Sequence, residues 1–381
     1  MAHVHDEKYF DYNASTPVDD AVLAAALRWM QEGFANPSSG HAAGRRAAEA
    51  ILRAREHIAE GLGALPDEIY FTSGGSESNN WALSGSLPHG RSTHVVSSAM
   101  EHKSVLSTLR EAERRGHGVS LVSPREDGAL RVEDLVRCLE PRTSLVSVML
   151  ANNETGVLQP VEELGRLCRS RGIRFHVDAV AALGKVPIDV RALGCDLLSI
   201  SSHKLYAPKG CGVLYVRRGT ALEPLIHGCG QQGGLRGGTE NTPGAVAFGR
   251  AFQRLREGAF GTQASLALMR DELWRALEAA LPGILRNGSG ASLPNTLNVS
   301  FPGHGAPTLL ERLAQGGFSV SAGAAAAGPA SHVLLAMGLS ESRARSSLRI
   351  SLGAHTTRAS LGRLVEALVA ATAVPQIAAG R

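Results

Sequence analysis

The sequence predicts an α/β fold whose main sheet is largely parallel, and three observations support this. Short apolar runs occur without the polar alternation of a sheet that has one face in water. Helical stretches with an apolar stripe separate these runs, as in repeated strand–helix–strand units. With 381 residues, of which 44% are hydrophobic, the chain can bury a large core. Helices should therefore cover both faces of the sheet.

Taken in order, the first elements are a helix and six strands. Ala47, Ile51, Ile58 and Leu62 are spaced to form one helical face, and Gly63 is predicted to end this helix. The strands of the main sheet are predicted at 69–71, 94–96, 145–150, 175–177, 197–200 and 213–216. Catalytic loops should gather outside the carboxyl ends of parallel strands.

A second, smaller α/β region is predicted after the main sheet. A long helical stretch begins near Thr242, and three later runs are typical of strands, at 296–300, 318–320 and 348–351. No internal repeat is evident, and the only low-complexity patch is the alanine- and glycine-rich run 322–328.

Composition excludes several classes of protein. No apolar run approaches the roughly 20 residues of a membrane span, and the N-terminus lacks a signal-peptide core, so we expect no membrane partner and a cytoplasmic location. The five cysteines are an odd number without CxxC spacing, which disfavours a disulfide framework or a zinc cluster. A net charge of +4 with scattered arginines gives no reason to expect direct nucleic-acid binding.

One lysine stands out among the five in the chain. Lys204 follows the predicted strand 197–200, next to Ser201 and His203. A lysine so placed is typical of the Schiff-base residue of an enzyme that uses pyridoxal 5'-phosphate (PLP). Asp178 ends the strand 175–177, where a carboxylate can pair with the pyridinium nitrogen of PLP. Alone, each residue would more often be a solvated charge or a turn cap, but together they support one another.

A candidate phosphate site precedes these residues. Gly74, Gly75 and Ser76 open a predicted helix, whose N–H groups and dipole favour an anion. Glycine allows the close approach of backbone to ligand. The competing interpretation is an ordinary helix cap at Ser76. Ser201 and His203 would add side-chain donors to the same phosphate.

Several ordered motifs give the chain a family resemblance. They are the segments 9–17 (YFDYNASTP), 36–39 (NPSS), 71–79 (FTSGGSESN), 101–103 (EHK), 152–156 (NNETG), 201–204 (SSHK) and 237–241 (GGTEN). In this order they resemble the NifS/IscS-like cysteine desulfurases, which are class V aminotransferase-like PLP enzymes of fold type I. The resemblance implies a seven-stranded large domain over residues 16–255. It also implies a small domain formed by residues 1–15 and 256–381.

The resemblance also implies roles for further residues. His102 would stack on the cofactor ring and help to transfer protons, while Lys204 would act as the general base at Cα. Asn153 would lie near the cofactor oxygen and the substrate carboxylate, which Arg349 would clamp. Thr239 would reach the phosphate of a neighbouring subunit, so a homodimer with shared sites is expected.

The resemblance departs from the family pattern at the catalytic cysteine. The family loop has the form Ser-x-Gly-x-Ala-Cys, and counting from Gly323 places Ala326 at the cysteine position. Alanine has no thiolate to accept sulfur. Two explanations stay open: an engineered Cys-to-Ala replacement, or a natural protein whose chemistry does not need that thiol. Ala181 and Gln232, which replace a usual glutamine and glutamate, favour the second.

The expected function is therefore a desulfurase that converts L-cysteine to L-alanine, with its persulfide step in doubt. The sulfur acceptor would be a protein of iron–sulfur cluster assembly, tRNA thiolation or DNA phosphorothioation. A cysteine-less PLP lyase or aminotransferase-like enzyme is the alternative, and a catalytically dead PLP-binding module is a third. Cys229, in a glycine-flanked loop, is a weak candidate for a substitute thiol.

Overall fold

The computed structural model of the chain describes residues 7–88, 90–322 and 330–373. The strands in these ranges are β1 (Ile69–Thr72), β2 (His94–Ser98), β3 (Gly118–Val122), β4 (Thr143–Met149), β5 (Arg174–Asp178), β6 (Leu197–Ser201), β7 (Gly212–Val216), β8 (Leu285–Arg286), β9 (Thr296–Ser300) and β10 (Ser347–Ser351). The α-helices in the same ranges are α1 (Asp20–Glu32), α2 (Ala42–Leu62), α3 (Gly75–Ser84), α4 (Lys103–Arg114), α5 (Val132–Arg137), α6 (Val161–Ser170), α7 (Val190–Leu193), α8 (Thr242–Arg256), α9 (Gln263–Ala280), α10 (Ala306–Gln315), α11 (His332–Ala336), α12 (Glu341–Arg345) and α13 (Arg358–Ala373).

Seven strands form the main sheet, in the order β1-β7-β6-β5-β4-β2-β3. All neighbouring pairs from β6 to β3 are parallel, whereas β7 is antiparallel to both β1 and β6. Strands β2, β6 and β7 are buried at every residue, as expected for a sheet that is covered on both faces. The predicted α/β fold with a seven-stranded, mostly parallel sheet is confirmed.

Helix α2 shows how the sequence determines the position and end of one helix that packs around the main sheet. Its apolar face buries Ile51 and Ile58, and the helix ends at Gly63, whose φ of 66° is left-handed. The helix packs against α8. At the crossing, a Cβ on Gly249 would lie 2.8 Å from the Cα of Ala54, so glycine is what lets the two helices approach this closely.

The second sheet is antiparallel, in the order β10-β9-β8, and carries a separate apolar core together with helices α9, α10 and α13. Phe10 belongs to this core. The backbone N–H of Ser351 donates to the carbonyl of Phe10 at 2.8 Å, which ties the N-terminal segment to β10. Leu293 and Val333, however, pack with the larger core. The predicted domain limits at residues 15 and 255 stay a prediction.

Three details differ from the sequence-based expectation. Strand β3 was not predicted, because it is a half-exposed edge strand without a continuous apolar run. The two-residue strand β8 was also missed. The predicted strand 318–320 is instead a single bridge between Ser319 and Tyr9. In the described ranges no helix has the length and apolar character needed to cross a membrane.

Candidate active site

A cavity of about 370 Å³ opens at the carboxyl edge of the main sheet. Strands β5 and β6 end at it, and helix α3 begins at it. Its lining residues are Asn13, Ala14, Gly75, Ser76, Asn79, His102, Met149, Ala151, Asn153, Asp178, Val180, Ala181, Ser201, His203, Lys204, Ser321 and Arg349. Most of the site residues predicted from the sequence are therefore brought together here.

Lys204 ends a short 3-10 turn, Ser202–Lys204, that directly follows β6. Its amine donates to the carbonyl oxygen of Ala14 at 2.9 Å and to that of Asn13. Burial and, to a smaller extent, the charge of Arg349 together lower the pKa of Lys204 to about 8, against the opposing effects of Asp11 and Asp178. A substantial fraction of this amine is therefore neutral near pH 8 and can act as a nucleophile or base.

Asp178 is the last residue of β5 and is almost fully buried. One carboxylate oxygen accepts the backbone N–H of Val180 at 2.9 Å, and the other accepts the side-chain amide of Asn79 at 2.7 Å. Asn79 also donates to the hydroxyl of Ser104 at 2.9 Å. These bonds fix the orientation of the carboxylate at the cavity wall. The sequence analysis included Asn79 in a motif but gave it no role.

His102 caps the amino end of helix α4. Its Nδ1 accepts the backbone N–H of Ser104 at 3.1 Å, which assigns the proton of the neutral ring to Nε2. Desolvation lowers the pKa of His102, and the positive charge of Lys204 acts in the same direction while Asp178 opposes it. The ring is thus mostly neutral at pH 7.

The predicted anion site lies at the start of α3. Gly74, not Ser76, is the N-cap, and it makes no side-chain cap bond, so the alternative of an ordinary cap at Ser76 is wrong. A Cβ on Gly75 would lie 2.7 Å from Cγ2 of Val180. Glycine is therefore required for the helix start to sit at the wall of the cavity, where first-turn N–H groups have no intrahelical acceptor.

Two further candidate donors flank this helix start. Ser201, at the end of β6, is buried, and Nδ1 of His203 lies 3.3 Å from the hydroxyl of Ser15. Burial and the neighbouring charge of Lys204 lower the pKa of His203 to about 4. His203 is therefore neutral and offers one N–H donor.

Arg349 projects from β10 and is almost fully buried. Nη2 forms an ion pair with Asp11 at 2.6 Å, and Nη1 donates to the carbonyl of Asn153 at 2.9 Å. Nε has no partner in the described part of the chain, and neither has Oδ1 of Asn153. The unpaired N–H of Arg349 fits a bound carboxylate, and the unpaired oxygen of Asn153 fits a hydrogen-bond donor of the same bound group.

One predicted residue that the structure describes, Thr239, does not line the cavity. Thr239 is exposed and lines a separate pocket of about 190 Å³ with Arg236 and Glu240. Ala326 lies outside the described residues. The structure adds three polar cavity residues to which the sequence analysis gave no role: Asn13, Asn79 and Ser321. No local signal marks them, because their position depends on contacts between distant parts of the chain.

The main sheet and this cavity have the architecture of fold type I PLP enzymes. The chain matches the family "Aminotransferase class-V" over residues 8–364, and it therefore belongs to that family. It is 43% identical over 371 residues to "Cysteine desulfurase IscS" of Anaeromyxobacter sp.. This match covers 95% of this chain and 91% of the relative.

Solved structures give the same result. A "NIFS-LIKE PROTEIN" superposes with a TM-score of 0.89 at 36% identity, over 96% of this chain and 99% of the other. A structure described as "SspA in complex with cysteine" has a TM-score of 0.81 at 38% identity, over 92% of this chain and 100% of the other.

The donor set of the cavity suits PLP. A glycine-started helix offers N–H groups for a phosphate, a buried carboxylate suits a protonated ring nitrogen, and one lysine amine is partly neutral. Asn79 also keeps a buried side-chain oxygen without a partner among the described residues. The residues present therefore fit the cofactor that the family uses.

Proposed function

We propose that this cavity holds PLP and that the protein acts on L-cysteine in the manner of a cysteine desulfurase. The observation that carries the proposal is the convergence of Lys204, Asp178 and Arg349 on one cavity of about 370 Å³. The homologues named cysteine desulfurase, and the relative solved with cysteine, support the choice of substrate.

Different residues of the site would bind the cofactor and the substrate. Gly75, Ser76, Ser201 and His203 would bind the phosphate, and Asp178 would face the ring nitrogen. When bound, PLP supplies an electron sink that makes a Cα proton removable and a Cβ–Sγ bond breakable.

The substrate carboxylate would bind between Arg349 and Asn153. Nε of Arg349 is the free donor, whereas Nη2 must share or exchange its bond with Asp11. Because a guanidinium can bind a carboxylate through two parallel N–H groups, this contact would orient the amino acid as well as attract it.

Proton transfer would fall to Lys204 and His102. The amine of Lys204, with its pKa lowered to about 8, is suited to remove the Cα proton as a general base. His102 keeps Nδ1 in a bond to the N–H of Ser104, so only Nε2 is available for ring contact or proton exchange.

Sulfur transfer needs a thiolate, and the resemblance places Ala326 where that thiolate should be. We infer that L-cysteine binds and loses its Cα proton, but that passage of sulfur to an acceptor protein stalls. Ala181, which lines the cavity where the family usually has glutamine, favours the alternative of a natural cysteine-less lyase or aminotransferase-like enzyme.

The test measures alanine, pyruvate and sulfide from L-cysteine. The unchanged protein should yield little alanine, whereas Ala326→Cys should yield alanine and a reductant-releasable persulfide on that residue. Ala327→Cys is the matched control, because it adds a thiol to the same loop at the neighbouring position. Equal alanine formation by the unchanged protein and Ala326→Cys would refute the inference that sulfur transfer stalls for want of a thiol at Ala326, and pyruvate from the unchanged protein would support the lyase.

Cofactor attachment is tested separately. Borohydride reduction of the PLP-loaded protein followed by peptide mapping should label Lys204. A label on Lys185, which is also buried and whose pKa burial lowers to about 7, would overturn the assignment.

The proposed shared site, in which Thr239 of one copy reaches the phosphate of the other, predicts that the protein sediments as a dimer. A PLP-loaded monomer at micromolar concentration would contradict it.

A further inference from the structure

A second cavity, of about 680 Å³, opens at the opposite edge of the main sheet, outside the amino ends of β4 and β5. We name it the amino-edge cavity. Arg174 at the start of β5 lines it, while Asp178 at the end of the same strand lines the candidate active site. At roughly 3.3 Å per residue, the two backbone positions are about 13 Å apart. The amino-edge cavity is thus separate from the proposed catalytic site.

Cationic side chains dominate the lining of this cavity. The arginines that line it are Arg91, Arg142, Arg169, Arg174 and Arg217. Asp196 is the one carboxylate that the described residues contribute to the lining, and it is committed to an ion pair with Arg217 and to the backbone N–H of Phe175. Glu140 pairs with Arg142 at 2.8 Å. Within the described ranges no carboxylate lies at ion-pair distance from the other three guanidinium groups.

Arg174 is the best-placed of these three groups. Its side chain is half-buried, and Nη1 makes a long bond of 3.5 Å to the carbonyl of Ser86. Desolvation lowers the pKa of Arg174, and Asp196 only partly opposes this. A desolvated guanidinium without a close counter-charge is costly, and an anion in the cavity would remove that cost.

A hydroxyl in the same lining is also unsatisfied. Oγ of Ser144, next to the start of β4, is buried and has no hydrogen-bond partner in the part of the chain that the structure describes. It adds a neutral donor to the charged ones. Buried polar atoms of this kind usually mark the place of a water or a ligand.

We propose that the amino-edge cavity binds a polyphosphate group, that is, two or more linked phosphates on a ligand of metabolite size. Guanidinium groups match phosphate oxygens in geometry and charge, and three unpaired ones suit an anion with several charges. Among the described residues, the lining contains no aromatic side chain that could stack on a nucleobase. Recognition should therefore reside in the phosphates, whether or not a nucleoside is attached.

The test is calorimetric titration of the PLP-saturated protein with inorganic pyrophosphate in magnesium-free buffer. Saturation with PLP keeps the phosphate site of the active-site cavity occupied. Pyrophosphate should bind at least about tenfold more tightly than orthophosphate, and ATP should match pyrophosphate within about threefold, since added phosphate oxygens gain charge-assisted bonds. Adenosine should not bind.

Variants locate the binding site. Arg174→Gln should weaken pyrophosphate binding by about tenfold or more, the loss expected for one charge-assisted bond. Arg91→Gln, in an exposed loop, should weaken it without risk to the fold. Arg166→Gln is the matched control, because Arg166 is exposed on the same helix as Arg169 but does not line the cavity.

Two results would overturn the proposal. One is pyrophosphate that binds no more tightly than orthophosphate. The other is an affinity that changes equally in Arg91→Gln, Arg174→Gln and Arg166→Gln, which would indicate general charge attraction. Neither result bears on the reaction with L-cysteine, so the two proposals fail independently.

Discussion

Glu101 provides a prediction whose magnitude follows from its surroundings. The side chain is fully buried between β2 and β4, and Oε1 accepts the hydroxyl of Ser98 at 2.6 Å and the backbone N–H of Met149 at 3.0 Å. Oε2 has no partner among the described residues. Burial, with a smaller contribution from the charge of Asp178, raises the pKa of Glu101 from 4.5 to about 8 despite the two hydrogen bonds that lower it. The carboxyl should therefore be largely protonated at pH 7.

A raised carboxyl pKa makes stability depend on pH with a definite sign. Between pH 4.5 and about 8 the folded state keeps a proton that the unfolded state has lost, so this group's contribution to stability is lost as pH rises. Each pH unit in this window costs about 1.4 kcal/mol. Glu101→Gln removes the titrating group. From pH 5.5 to 7.5 the stability of the variant should rise relative to the unchanged protein by up to about 2.7 kcal/mol.

Urea unfolding of the PLP-free protein at fixed protein concentration measures this difference at the two pH values. Glu278→Gln is the control, because Glu278 is exposed and should leave the pH profile unchanged. Infrared spectra give an independent check: the carbonyl band of a protonated carboxyl should be present at pH 6 and absent in Glu101→Gln. Parallel stability profiles for the unchanged protein and Glu101→Gln would show that Glu101 is ionised when folded.

Two further predictions concern Gln232 and Gly75. Gln232 donates to Glu240 and accepts from Arg55 at 2.8 Å, so Gln232→Glu places two carboxylates together. The stability of the variant should fall by about 1–3 kcal/mol at pH 8 and recover at pH 5. A thermal unfolding series with no such pH trend would contradict this. Gly75→Ala should weaken PLP binding and cost about 1–3 kcal/mol through its clash with Val180, as measured by cofactor titration and urea unfolding. Adding Val180→Ala should restore both properties, and no rescue would refute the steric explanation.

The sheet could be predicted from the sequence because its strands are buried on both faces. Strands β5 and β6 are short, almost wholly buried segments that end in Asp178 and Ser201, so both the element and the polar residue at its end are visible locally. Edge strand β3 has only one fully buried residue, Val122, and therefore lacks this signal. Burial on both faces, rather than strand propensity, is what made the prediction possible.

The hydrogen bonds and ion pairs between residues of the site could not be predicted in the same way. Asn79 reaches Asp178 across 99 positions of sequence, and Arg349 reaches Asp11 across 338. Neither pair has a spacing that a helix or a strand would reveal. The resemblance supplied the role of Arg349, and the strand-end position supplied that of Asp178, but the residues that hold them emerged only from the folded chain.

The N-terminal segment 11–14 links the two cations of the candidate active site. It gives Lys204 two backbone carbonyls, from Asn13 and Ala14, and gives Arg349 the carboxylate of Asp11. Buried cations are costly without such partners, so this segment stabilises the lysine and the guanidinium when no ligand is bound. A ligand that engages either cation must compete with these bonds. The proposed cofactor attachment and carboxylate binding would therefore both be exchanges with the same short segment, which explains why a segment so far from Lys204 in sequence belongs to the candidate site.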